Sequence, residues 1–208
     1  MNAVLEAQDL DCVRGGSLLF SGLGVAVRPG QLLRVLGANG AGKTSLLRMI
    51  CGLLAPARGE VRWRGQKIAA LREEYSRQLV YLGHSAALKD DLSAIENLQA
   101  SGVLAGLAPT QGEAAAALAE AGLKGRELQP VRTLSQGQRR RVGLARLVLS
   151  GGAGLWVLDE PFNALDTGAT EWLLRLVTAQ LQRGGVVVLT SHQSVALGDG
   201  LPQLAVSL

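Results

Sequence analysis

Apolar residues fall along this chain in two rhythms: short unbroken runs of strand length, and longer stretches in which they recur every three or four positions. Residues 4–12 and 18–27 read as two strands of an N-terminal β layer, separated by the turn Arg14-Gly-Gly-Ser17. Pro29-Gly30 turns the chain into the apolar run 31–36, and a helical pattern follows over 44–52. Residues 60–63 and 66–68 have the pattern of a short hairpin around Arg64-Gly65, and Leu79–Leu82 is a further strand ending at Gly83-His84. From 85 to 133 the chain is alanine-rich and mostly helical in pattern. There Thr110-x-x-Glu113 has the form of a capping box ahead of an Ala/Leu helix that Gly122 ends. A helix over 136–149, the strand Leu155–Leu158, a helix over 169–182 and the strand Val186–Thr190 complete the pattern. The 169–182 helix presents Leu173, Leu176, Val177 and Leu181 on one face. Strands alternating with helices predict an α/β fold: a mostly parallel sheet, an N-terminal antiparallel β layer, and a helical lobe of residues 85 to about 150 inserted into a single domain over 1–208.

Composition narrows the function. A chain of 208 residues suits one domain, and although 48% of it is apolar, no run approaches the roughly 20 apolar residues of a membrane span. The start, MNAVLEAQDLD, carries acids and no basic cluster, so it does not read as a secretory signal. Cys12 and Cys51 are isolated, which fits reduced thiols in a cytosolic setting. The net charge of +4 is mild, and aromatics at 3% leave no stacking platform for single-stranded nucleic acid.

The chemistry begins between strand and helix. Gly37, Ala38, Asn39, Gly40, Ala41, Gly42, Lys43 and Thr44, followed by Ser45, fit the phosphate-binding pattern G-x-x-x-x-G-K-[ST] at every specified position. Glycines let the backbone wrap around phosphates, and the helix N-terminus meets their negative charge. Lys43 would reach the terminal phosphates and the Thr44 hydroxyl would ligate Mg²⁺, so the chain is expected to bind ATP with Mg²⁺. Downstream, an apolar strand runs straight into Asp159 and Glu160, placing two carboxylates where α/β sheets hold ligands. Asp159 would organise Mg²⁺ and Glu160 would polarise the attacking water. Between these elements lies Leu134-Ser-Gln-Gly-Gln138. Ser135 has the form of a helix cap, Gly137 permits close backbone approach, and the helix start is a second anion cradle. Arg139, Arg140 and Arg141 follow, a basic run with the usual look of a solvated face.

Phosphate loop, this Ser-Gln-Gly sequence, then an acid-ended strand about 20 residues later: the order resembles the ABC ATPase family over the whole chain, and implies a P-loop NTPase fold of the ABC ATPase type. The resemblance implies a homodimer in which Ser135, Gln136 and Gly137 of one copy contact the γ-phosphate held by the other. It further implies a dimer-contacting loop at Ala164-Leu-Asp166 and a γ-phosphate-sensing histidine at His192. Two positions depart from the family pattern. Gly83-His84 stands where a glutamine that touches Mg²⁺ is usual, which leaves His84 as a candidate metal contact. Arg14 stands where an adenine-stacking aromatic is expected, and its guanidinium plane can stack on a base.

Within that family the chain resembles the ATP-binding subunits of bacterial cytochrome c maturation. The likeness rests on Leu10-Asp-Cys-Val-Arg14, Leu19-Phe-Ser-Gly-Leu23, Gly83-His84, Ile95-Glu-Asn-Leu98, Gln138-Arg-Arg-Arg-Val142, Asp159-Glu-Pro-Phe162 and Thr190-Ser-His-Gln193. This implies integral-membrane partner subunits, a peripheral place on the cytoplasmic face of the inner membrane, and haem as a cargo the ATPase need not touch. The alternatives are a soluble ABC ATPase of iron–sulfur cluster assembly, the ATPase of another small-molecule transporter, and a nucleic-acid-associated ABC ATPase. The last usually carries a coiled-coil insertion or two ATPase domains, and the sequence has neither.

Overall fold

The computed structural model describes residues 3–191 and 202–208. In chain order the elements are β1 (Leu5–Arg14), β2 (Ser17–Val27), β3 (Leu32–Leu36), α1 (Lys43–Ile50), β4 (Arg58–Trp63), β5 (Gln66–Lys67), α2 (Ile68–Arg77) and β6 (Leu79–Leu82). Then come α3 (Ala94–Leu104), α4 (Gln111–Glu120), a 3-10 turn at Val131–Thr133, α5 (Gln136–Leu144), α6 (Arg146–Leu149), β7 (Leu155–Leu158), α7 (Thr167–Gln182), β8 (Val186–Thr190) and β9 (Gln203–Ser207). Two sheets form, with strand orders β2-β1-β4-β5 and β6-β7-β8-β3-β9. In the first, β1 pairs antiparallel with β2 and β4; in the second, β7, β8, β3 and β9 run parallel. Every residue of β7 and β8 is buried, as strands covered on both faces must be, and this is why both read as continuous apolar runs.

The chain divides into two compact units. One comprises Met1–Tyr81, Ala153–Glu160 and Thr178–Leu208; the other comprises Leu82–Gly152 and Pro161–Val177. The first holds a core in which Leu5, Leu10, Val27 and Val61 of the antiparallel layer pack with Leu46, Leu47 and Ile50 of α1 and with Leu33, Val157 and Val188 of the parallel sheet. Apolar burial on that scale, at about 25 cal/mol per Å², fixes the strand that leads into the phosphate loop. Cys12 and Cys51 are both buried and free, and burial pushes the Cys51 thiol well above its ordinary range. The second unit is helical, and small or branched residues fill it: Ala94, Ile95, Leu98, Ala114, Ala117, Leu118, Leu123 and Val142 are all buried.

Several element boundaries differ from the sequence pattern. The predicted helix over 136–149 divides at Ala145, where hydrogen bonding tightens to the Val148 N–H donating to the Ala145 carbonyl. Helix α2 was not anticipated: only Tyr75 is buried along it, so its apolar stripe is thin, and Arg72 interrupts it at φ 41°. The edge strand β9 was also missed, its short alternating pattern being weak. The region 85–133 is less helical than its alanine content suggests, because α3 and α4 account for its regular helix.

Candidate nucleotide-binding site

The phosphate loop lies between β3 and α1. Gly37, Gly40 and Gly42 take φ of 145°, 85° and 106°, values open to glycine and strained for other residues. At Gly42 a Cβ would also meet the Phe20 ring at 3.0 Å, so the loop lies against β2 with no room for a side chain. Gly42 is the N-cap of α1 and supplies no side-chain bond, and the first turn of α1 contains no acid. The helix start is therefore not capped by its own sequence, and its N–H groups and dipole face the loop. Lys43 is 9% exposed, and its Nζ donates to the carbonyls of Gly37 (2.8 Å) and Ala38 (3.2 Å), which holds the ammonium against the loop. Thr44 and Ser45 follow in the first turn, with Ala38, Asn39 and Gly40 exposed on the loop and Ala41 donating its N–H to Ala38.

The acid pair reaches the same unit from β7. The Thr44 Oγ1 donates to Asp159 Oδ2 at 2.8 Å across 115 residues of sequence. On its other side Asp159 Oδ1 accepts from Thr190 Oγ1 at 2.8 Å, and Thr190 Oγ1 accepts the Glu160 N–H at 2.8 Å. Asp159 and Glu160 are 2% and 8% exposed, and Glu160 sits at φ 48°, a conformation a non-glycine residue holds only when its surroundings enforce it. Thr44 and Asp159 supply two hard oxygen donors to one spot, a set that suits Mg²⁺ completed by substrate phosphate and water.

The Ser-Gln-Gly sequence belongs to the helical unit. Ser135 caps α5 in a full capping box: its Oγ accepts the Gln138 N–H at 3.2 Å, while Gln138 Oε1 accepts the Ser135 N–H at 2.9 Å. Gly137 approaches the loop after the acid pair so closely that a Cβ would lie 2.6 Å from the Ala164 carbonyl oxygen. Ser135 and Gln136 are exposed. The arginine run does not form a solvated face. Arg139 pairs with Asp90, Arg141 donates to the Ala121 and Gly122 carbonyls at the end of α4, and Arg140 is 8% exposed. The Arg140 Nη1 donates to the Gly83 and His84 carbonyls at 3.0 and 3.1 Å, and its Nε donates to the Pro161 carbonyl at 3.5 Å. His84 is exposed and lines a cavity of about 690 Å³ with Gln136, Arg139, Arg140, Asn163 and Ala164.

The remaining candidates are placed as follows. The Asp166 Oδ1 accepts the Ala169 N–H at 2.8 Å and caps α7. Arg14 is exposed at the end of β1, opposite Ser17, while the aromatic ring packed on the phosphate loop is that of Phe20. His192 and Gln193 lie outside the described residues. Thr190 and Arg140 appear in the sequence reading only as members of longer motifs, with no role of their own. A threonine closing an otherwise all-apolar strand was the available signal for the first, and an arginine one turn inside a capped helix was a faint one for the second.

The family model described as "ABC transporter" matches residues 20–163, from β2 through the acid pair. The chain belongs to the ABC transporter family. It is accordingly an ABC-type ATPase, with the ABC cassette fold. The "Cytochrome c biogenesis ATP-binding export protein CcmA" of Nitrosospira multiformis is 50% identical over 199 residues, covering 96% of each chain. The protein of the same name from Pseudomonas aeruginosa is 48% identical over 194 residues, covering 93% of this chain and 95% of its own. Among solved structures, a putative ABC transporter ATP-binding protein from Pyrococcus furiosus superposes with a TM-score of 0.81 at 26% identity, over 97% of this chain and 96% of its own. A dimeric ATP-binding cassette in a post-hydrolysis state with ADP and Pi, at 21% identity, TM-score 0.78 and 91% and 88% coverage, shares the ABC fold.

Proposed function

We propose that this chain is the ATP-hydrolysing motor of a membrane ABC complex in c-type cytochrome biogenesis, driving haem export or its handover to a periplasmic chaperone. The observation that carries the reading is 50% identity, over 96% of both chains, to a protein named for cytochrome c biogenesis and export. The completeness of the phosphate loop and acid pair supports a working motor.

In this reading the α1 N-terminus and the Lys43 ammonium take the terminal phosphates of ATP. Thr44 and Asp159 hold Mg²⁺, which when bound neutralises charge on the phosphate oxygens. Glu160 accepts a hydrogen bond from the attacking water and orients it toward the γ-phosphorus. Ser135, Gln136 and Gly137 of a second copy complete the site in a homodimer, with Asp166 in the contacting loop and His192 at the γ-phosphate. Arg14 would stack on adenine. Among the described residues no helix is long and apolar enough to cross a membrane. In this reading the chain attaches at the cytoplasmic face through separate integral-membrane subunits, as the export role named for its relative requires. Haem is carried by those partners and is not bound here.

The test is Lys43→Ala in cells lacking the native gene. Loss of the ammonium removes the cation that meets the triphosphate, so c-type cytochromes should fall to the level of the gene deletion while the protein stays at its normal abundance. Normal c-type cytochrome levels in that strain would overturn the biogenesis reading.

A further inference from the structure

The acid pair is held by a hydroxyl that lies outside both the phosphate loop and the acid-ended strand. Strand β8 pairs in register with β7 through Leu158 and Leu189, so the next residue on each strand, Asp159 and Thr190, are neighbours. On its other side β8 pairs with β3 through Val35 and Thr190, next to the start of the phosphate loop. Thr190 is completely buried, and its one hydroxyl makes both bonds described above. The direction of each is fixed. An amide can only donate, so the hydroxyl accepts from Glu160 and has its own proton left to give to Asp159 Oδ1.

Resting on the proposed ATPase site, we propose that Thr190 is a positioning residue for both carboxylates. Its hydroxyl clamps Asp159 from the side opposite Thr44, so that the carboxylate is held between two hydroxyl donors and cannot swing away from the phosphate loop. The same oxygen anchors the Glu160 amide, and thereby keeps the backbone at φ 48°, the conformation that aims this side chain. One atom thus sets the metal-side acid and the water-side acid relative to each other. Valine has nearly the same shape and neither bond; serine has both.

The experiment compares full-length wild type with Thr190→Val and Thr190→Ser by two readouts. Amide hydrogen exchange of the segment containing Glu160, in nucleotide-free protein, should speed up at least tenfold in Thr190→Val and stay near wild type in Thr190→Ser. Steady-state hydrolysis should show kcat lowered about 10- to 100-fold in Thr190→Val with the KM for ATP within about threefold, and recovery in Thr190→Ser. Wild-type exchange and wild-type kcat in Thr190→Val overturn the proposal, as does a lower melting temperature with kcat per folded molecule unchanged. If Thr190→Val does not fold, Thr190→Cys replaces it, and a kcat equal to that of Thr190→Ser overturns the proposal. A wild type without ATPase activity would defeat the proposed function, while the exchange comparison would still decide the role of Thr190.

Discussion

Helix α1, which follows the phosphate loop, and helices α3, α4 and α5 of the helical unit finish their starts in opposite ways. In the helical unit α3, α4 and α5 each begin with a reciprocal capping box: Ser93 with Glu96, Thr110 with Glu113, and Ser135 with Gln138. In the other unit α1 begins at a glycine with no side-chain cap and no acid in its first turn. A cap is typically worth about 1 kcal/mol, so leaving it out is a cost that local folding does not recover. The difference teaches where the ligand belongs. The capped starts are structurally complete, while α1 is completed by an anion from outside, and Lys43 and Thr44 are its first two residues. Helix α5 lies between these cases. Its first amide is taken by its own glutamine, which leaves the exposed Ser135 hydroxyl as the group best suited to meet a phosphate.

Giving α1 the acid that α3 and α4 have should break the contrast most strongly. Ser45→Glu places a carboxylate at the third position of the helix, where Glu96 and Glu113 stand in theirs. The helix itself should gain a few tenths to about 1 kcal/mol from its dipole, while ATP affinity, followed by fluorescent-nucleotide titration, should fall at least tenfold through repulsion of the phosphates. Undiminished affinity would mean that the open helix start is not where phosphate binds.

A smaller effect is expected from removing a cap. The Thr110 backbone N–H and then its hydroxyl hold the Glu113 carboxyl below the usual glutamate range. A depressed value in the folded state means that this contribution is fully present above the unfolded value near 4.3 and is lost as pH falls through the folded one. Glu113→Gln should therefore melt slightly below wild type at neutral pH, and the gap should close below about pH 4, read by circular dichroism. Nucleotide affinity should be untouched. A gap that widens in acid would contradict the assignment of the cap.

How much of this was legible in the sequence follows from how far apart the interacting residues lie. The phosphate loop was readable because its requirements are local: glycines at fixed spacing, a strand before, a helix after. Capping at Thr110 and Ser135 was readable for the same reason, since the partners are three residues on. Thr190 and Arg140 were not, because their meaning comes from groups 30 and 57 residues away, brought together by strand register and by the fold of the helical unit. The arginine run misled in a specific way. Composition makes it look like one basic face, while helical geometry sends the three side chains to an aspartate, to two loops and to a helix end. Helix α2 was missed because almost none of it is buried, and burial is what periodicity reports.

The measurement that bears most directly on the central claim, that the unit holding the phosphate loop binds the nucleotide and carries the water-activating acid, is Glu160→Gln assayed for ATP affinity and phosphate release in one preparation. Glutamine keeps the size of the side chain and leaves the backbone N–H hydrogen bond to Thr190 in place, but removes the carboxylate that would accept the water's hydrogen bond. ATP affinity should stay within a few-fold of wild type, phosphate release should fall by about 10²-fold or more, and ATP should then stabilise a dimer detectable by light scattering. Phosphate release near the wild-type rate in Glu160→Gln would contradict the account.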